Sequence, residues 1–140
     1  MYSLTIVGGG AVSCGYDSPN DKNIITHIHG ALKHPKINLN SIIEIDNQRH
    51  GYISNKWGKH IPIYLNINNS LKKYKSDIFV IATPTDQHFT NINNILAKHS
   101  PKLIICEKPI VSSSKDLEKL YKLVNECSTK IITNFPRRLD

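Results

Sequence analysis

The sequence has few cysteines and no long apolar run. Its 140 residues contain three cysteines, Cys14, Cys106 and Cys127, an odd number at wide spacings. This pattern argues against a disulfide framework and predicts a protein of the reducing cytoplasm. No apolar run is long enough for a membrane span or a secretory signal peptide. No repeat or low-complexity linker divides the chain, so we expect one domain over residues 1–140, large enough for a hydrophobic core.

Acidic residues are also scarce compared with basic ones. The chain has 11 Asp and Glu against 18 Lys and Arg, which gives a formal net charge of +7. Such an excess can indicate a nucleic-acid partner. The lysines are spread along the whole chain, however, and no recognised nucleic-acid motif or basic stripe with interleaved aromatics is present. We therefore predict neither nucleic acid nor membrane as a partner, and some attraction for a phosphate-bearing ligand.

Short, continuous apolar runs predict strands that are covered on both faces. They lie at residues 4–7, 41–45, 77–82, 103–106 and 130–133, with a further candidate at 61–65. Helical patterns alternate with them, at residues 27–34, 48–58, 68–76, 86–100 and 114–128. This alternation predicts the α/β class, with one open, doubly wound and mostly parallel sheet in a single domain.

The last helical pattern is the clearest. Leu117, Leu120, Tyr121 and Val124 are spaced so that they form one apolar stripe. Ser113 and the acid three residues later predict a capping box at the start of this helix.

Three glycines, Gly8, Gly9 and Gly10, follow the first strand directly in "LTIVGGGAVSCGYD". In a dinucleotide-binding fold such glycines permit a tight turn and let backbone N–H groups approach a pyrophosphate. Ser13 takes the third fingerprint position, where Gly or Ala is usual. The glycines alone are weak evidence, and their position directly after a strand is what favours a nucleotide site.

Asp46, at the end of "SIIEID", is the candidate acceptor for the adenosine ribose hydroxyls. Its charge would repel a 2′-phosphate, which favours NAD over NADP, although the nearby Arg49 keeps NADP open. The alternative is that Asp46 simply caps the next helix. Asp46 also comes much later than the usual spacing of about 20 residues after the fingerprint. We therefore predict an enlarged loop over residues 14–30 and a shortened first helix at about residues 27–34.

Several motifs together resemble one family. "VGGGAVSCGYD", "THIHGALKHP", "IIEID", "DIFVIATPTDQHF", "IICEKPI" and "TNFPRRLD" occur in the order seen in the Gfo/Idh/MocA oxidoreductases, over essentially the whole chain. The resemblance implies the N-terminal Rossmann domain of an NAD(P)-dependent dehydrogenase that moves a hydride to or from a sugar, nucleotide-sugar or cyclitol hydroxyl. It also implies a C-terminal substrate domain that these 140 residues lack, so we expect the chain alone to be inactive. A homo-oligomer is a further expectation.

The resemblance also implies roles for individual residues. Lys108 of the "EKP" motif would touch the nicotinamide ribose and the reacting hydroxyl, with Glu107 beside it as the second catalytic candidate. Lys108 and Arg138 would contact the substrate. The positions expected to hold the cofactor are Gly8, Gly9, Gly10, Ala11, Val12, Asp46, Arg49, Thr83, Pro84, Thr85, His88, Glu107, Lys108 and Asn134.

Purely structural or non-catalytic interpretations of these residues stay open. Glu107 and Lys108 could form a surface ion pair, and His88 could have only a packing role at the start of a helix. Cys106 is either a nucleophile or a small buried hydrophobe. The whole chain could be a stand-alone nucleotide-binding or regulatory module without catalysis.

A cluster of histidines is a candidate metal site. Three histidines lie close together in sequence, but no carboxylate or thiolate completes an obvious ligand set, so no metal is predicted. They are His27, His29 and His34.

Overall fold

Six parallel strands form one sheet in the computed structural model of the chain, which describes residues 1–135. The strands are β1 (Tyr2–Val7), β2 (Ile37–Ile43), β3 (Ile63–Tyr64), β4 (Ile78–Ile81), β5 (Leu103–Glu107) and β6 (Lys130–Asn134). Their order is β3-β2-β1-β4-β5-β6, and every neighbouring pair is parallel. The predicted doubly wound α/β fold is therefore confirmed, with the strand order of a dinucleotide-binding domain.

The helices follow the predicted alternation. They are α1 (His27–Lys33), α2 (Asn47–Trp57), α3 (Ile67–Leu71), α4 (His88–Leu96) and α5 (Ser114–Glu126). The enlarged first loop and the short α1 are as expected, but a one-turn π-helix at Ala11–Gly15 was not predicted. In residues 1–135, no helix is long and apolar enough to cross a membrane.

Both faces of the sheet are buried. Successive strand residues point to opposite sides, and helices cover the apolar side chains on each side. Ile6 belongs to an apolar cluster with residues of α1 and α2, whereas Val7 belongs to a second cluster with residues of α3, α4 and α5. Val80 and Ile81 divide between the two clusters in the same way. Full burial of such a side chain contributes about 1.5–3 kcal/mol, so the two layers hold the strand ends in place.

The β2 strand lies earlier in the chain than its predicted range of residues 41–45. Its pairing with β1 starts at Tyr2 and Ile37 and ends at Val7 and Ile43. Polar asparagines in the first half of β2 hid this half from the apolar pattern. As a result, Glu44 follows the strand, at the edge of the sheet where ligands of open α/β folds bind.

Helix α5 has its predicted cap, and its apolar side chains are mostly exposed. Ser113 Oγ accepts from the backbone N–H of Asp116 and donates to its carboxylate. Of the predicted apolar stripe only Leu120 is buried. The other members, Leu117, Tyr121 and Val124, are 52%, 70% and 37% exposed.

Candidate cofactor and active site

A cavity of about 730 Å³ opens at the carboxyl edge of the sheet, beside the turn after β1. The chain reverses its winding direction between β1 and β4, and such switch points are where open α/β sheets bind ligands. Seven of the predicted cofactor residues line the cavity: Gly8, Gly9, Gly10, Asp46, Arg49, Thr83 and Pro84.

The glycine turn needs glycine at two of its three positions. Gly8 has a φ of +99°, and a Cβ there would lie 2.6 Å from the carbonyl oxygen of Ala82. A Cβ at Gly9 would lie 2.6 Å from Cδ1 of Ile53 and 2.7 Å from Oε2 of Glu44. At Gly10 a Cβ would meet nothing within 4 Å. The turn is thus packed tightly against the sheet at its start and open at its end.

Glu44 is a residue of this site that the sequence analysis missed. It is buried, and its Oε2 accepts a hydrogen bond of 2.9 Å from the N–H of Gly9. Its Oε1 accepts one of 2.9 Å from the N–H of Asp46. The signal in the sequence is an acid directly after a strand. It was obscured because the predicted strand ended two residues beyond the observed end of β2.

Asp46 and Arg49 also line the cavity. Asp46 is exposed and its Oδ1 accepts from the N–H of Gln48, so it caps α2. Arg49 Nη2 donates to the carbonyl oxygen of Gly9 over 2.7 Å, and its Nε lies 3.8 Å from Oε2 of Glu44. Both backbone polar groups of Gly9 are therefore held by side chains that follow β2.

His88 lies behind the cavity and joins two loops. The ring is 1% exposed, and its Nε2 lies 2.8 Å from the carbonyl oxygen of Thr83. Its Nδ1 lies 2.9 Å from the carbonyl oxygen of Pro109. The turn after β4 is thereby tied to the loop that follows β5. Thr85 starts a short 3₁₀ turn and, like His88, does not line the cavity.

Glu107 has different partners from those that adjacency in the sequence suggests. Its Oε1 accepts hydrogen bonds from His27 Nε2 over 2.8 Å and from Asn134 Nδ2 over 2.6 Å. Lys108 is exposed, forms no ion pair or side-chain hydrogen bond within residues 1–135, and precedes a cis peptide bond to Pro109. A Glu107–Lys108 surface ion pair is therefore excluded, and none of the described residues binds the lysine side chain.

A buried carboxylate organises the enlarged first loop. Asp17 accepts hydrogen bonds from the backbone N–H groups of Ile25 and Thr26, from the Thr26 hydroxyl and from Nδ1 of His29. Burial alone would raise the pKa of this carboxyl, but these hydrogen bonds outweigh it and hold the pKa well below its usual range. The two ends of the loop are thereby fixed to each other and to the start of α1.

The other proposed chemistries find no support in this geometry. Cys106 lies in the core, and burial raises the pKa of its thiol to about 12, which makes it a poor nucleophile. Two of the three candidate metal-binding histidines have other partners, since His27 contacts Glu107 and His29 contacts Asp17. Over the described part of the chain, no group of three or more His, Cys, Asp or Glu side chains is arranged to hold a metal ion.

The sequence profile of an oxidoreductase family with an NAD-binding Rossmann fold, Gfo/Idh/MocA, matches residues 5–135. The chain belongs to the Gfo/Idh/MocA family. Its cofactor is therefore NAD, and the glycine-lined cavity is at the position where a Rossmann domain binds it.

Relatives of known activity or structure are longer than this Gfo/Idh/MocA chain. It is 36% identical over 64 residues to an inositol 2-dehydrogenase of Rhizobium meliloti (strain 1021), covering 46% of this chain and 19% of the relative. A putative myo-inositol dehydrogenase from Sinorhizobium meliloti 1021 superposes with a TM-score of 0.78 at 21% identity, covering 100% of this chain and 38% of the other. The WlbA dehydrogenase from Bordetella pertussis, solved with NADH and UDP-GlcNAcA, gives a TM-score of 0.74 at 18% identity, covering 95% and 36%. The chain thus spans about a third of each of these solved structures.

The remaining predicted residues of this Gfo/Idh/MocA domain lie outside the cavity. Ala11 and Val12 are exposed at the start of the π-helix, next to the glycine turn. Glu107, Lys108 and Asn134 lie together at the ends of β5 and β6. Arg138 lies outside the described residues, so its predicted contact with substrate stays a prediction.

Proposed function

We propose that the chain is the cofactor-binding part of a dehydrogenase that transfers a hydride between NAD and a hydroxyl-bearing carbon of a sugar, nucleotide sugar or cyclitol. One observation carries the proposal. Lys108, whose side chain has no partner among residues 1–135, follows β5 at the same sheet edge as the glycine-lined cavity beside β1 and β4. This shared edge supports a role for Lys108 beside a bound cofactor.

The adenosine end of NAD is assigned to the part of the cavity between the glycine turn and α2. The first N–H groups of the π-helix, at Ala11 and Val12, have no partner within the helix and suit the pyrophosphate. Glu44 uses each carboxylate oxygen for one N–H, and a carboxylate offers about four acceptor sites. It can therefore also accept the ribose hydroxyls, and we place it beside Asp46 as the ribose ligand.

Lys108 is assigned to the reacting hydroxyl. When bound, NAD takes the hydride from the carbon. The terminal nitrogen of Lys108 would orient the hydroxyl group and exchange its proton in the same step. No acidic side chain within residues 1–135 neutralises this nitrogen, which leaves it available to the substrate oxygen.

The setting of this reaction is part of the proposal. The cysteines are all free and two of them are buried, in keeping with a reducing cytoplasm. The exposed apolar side chains of α5 form a surface that a substrate domain or a second copy of the chain could cover.

The test combines binding and turnover. NADH titration of the 140-residue chain, followed by fluorescence, should show saturable binding. In the intact protein, Lys108→Ala should abolish oxidation of the substrate while changing NADH affinity by less than about twofold. Myo-inositol and UDP-GlcNAcA are the first substrates to try, because they are named for the relatives above. NADH binding without turnover of any polyol or nucleotide sugar would favour the regulatory module, and retained turnover in the variant would remove Lys108 from the reaction.

A further inference from the structure

His27 has a place in the molecule that the cavity does not explain. It is the first residue of α1, and its ring reaches across the sheet edge to Glu107 at the end of β5. The His27 side chain is 18% exposed and that of Glu107 is 14% exposed, so the contact is largely shielded from water. Two elements far apart in the sequence are thus joined next to Lys108.

The position of His27 is set by the cluster around Asp17. Thr26 is the N-cap of α1, and both its N–H and its hydroxyl donate to the Asp17 carboxylate. His29, two residues beyond His27, donates to the same carboxylate from Nδ1, and Asp17 is only 3% exposed. Since Thr26 and His29 are both held, the backbone that carries His27 at the start of α1 is fixed.

Among residues 1–135, Lys108 is held in place through its two sequence neighbours. Glu107, before it, is bonded by His27 and Asn134, and Pro109, after it, is bonded through its carbonyl oxygen by His88. The lysine side chain has no partner of its own within residues 1–135. The position of the Lys108 nitrogen relative to a substrate therefore depends on these hydrogen bonds to its neighbours.

We propose that His27 is a positioning residue, which acts through Glu107 to fix the end of β5 that carries Lys108. The enlarged first loop, with Asp17 at its start and Thr26 at its end, is then the support that keeps His27 in place. The proposal rests on the function assigned to Lys108 above, and it gives the loop a part in the reaction.

Turnover of the intact protein provides the first test. His27→Ala should lower kcat about tenfold, as expected for a slightly misplaced catalytic group, while the KM for NAD changes less than about twofold. His27→Gln retains a side-chain donor and should restore most of the loss. The matched control is His34→Ala, because His34 is exposed at the other end of α1 and its ring only accepts from the N–H of Lys36.

A second measurement does not depend on turnover. Deuterium exchange of the peptide covering residues 103–111 should speed up in His27→Ala and Glu107→Ala and stay unchanged in His34→Ala. Unchanged exchange together with unchanged kcat in His27→Ala would overturn the proposal, as would a His27→Gln variant as impaired as the alanine one. If the wild-type protein binds no NADH and turns over no substrate, the proposed function fails, and the exchange experiment still decides whether His27 anchors β5.

Discussion

Arg49 donates a hydrogen bond of 2.7 Å from Nη2 to the carbonyl oxygen of Gly9. The guanidinium is therefore engaged with the glycine turn. This contact bears on the choice between NAD and NADP. In the sequence, Asp46 favours NAD, whereas Arg49 keeps NADP open.

Arg49→Ala should weaken NADH and NADPH binding in parallel, by about three- to tenfold, because the turn loses a charge-assisted hydrogen bond. Fluorescence titration with both nucleotides checks this. A loss of affinity for NADPH alone would show that Arg49 serves a 2′-phosphate after all.

The two acids at the end of β2 can be separated by substitution. Asp46→Asn keeps a side-chain oxygen that caps α2, so any loss of NADH binding would come from its charge. Glu44→Gln should weaken NADH binding by about tenfold or more, because one N–H contact and the ribose acceptor are both disturbed. We expect the larger effect at Glu44, and the same titration ranks the two. A large effect at Asp46 with none at Glu44 would show that Asp46 alone accepts the ribose hydroxyls.

His88→Ala should reduce the free energy of unfolding by about 1–3 kcal/mol, because the buried ring that contacts the carbonyl oxygens of Thr83 and Pro109 would be lost. Urea denaturation measures this. His99→Ala is the matched control, since the His99 ring contacts one carbonyl oxygen, that of Ser76. Equal losses in the two variants would contradict the bridging role of His88.

Asp17 predicts how stability depends on acid. Its pKa is lower in the folded chain than the ordinary value of about 3.9 expected after unfolding. The stability it contributes is thus fully present above about pH 4 and is lost as the pH falls further, when the unfolded state takes up the proton first. Asp77, whose pKa is lowered chiefly by a hydrogen bond from Lys102, adds an effect of the same sign.

Denaturation in urea between pH 6 and pH 3 should therefore show stability falling at the acid end, with a shallower fall in Asp17→Asn. Asp21→Asn is a suitable control because Asp21 lies in the same loop but is exposed. The same slope in wild type and Asp17→Asn would show that the Asp17 cluster does not form.

The fold was predictable because each strand is a short apolar run and each helix lies between two of them. The short α1 was predictable too, since the late position of Asp46 required an enlarged loop. The site was predicted less completely. Glu44 was missed because the first half of β2 is polar, and strand ends decide which acid faces the glycines. The partners of Glu107 could not be predicted, since His27 is 80 residues away in the sequence.

The β6 strand lies at the edge of the sheet and, within residues 1–135, pairs only with β5. One row of its backbone donors and acceptors is therefore open to another strand, next to the 49% exposed side chain of Ile132. The 140-residue chain should consequently associate more as its concentration rises. Apparent NADH affinities should be compared at several dilutions, and sedimentation runs at the same dilutions would separate the binding of nucleotide from the joining of chains.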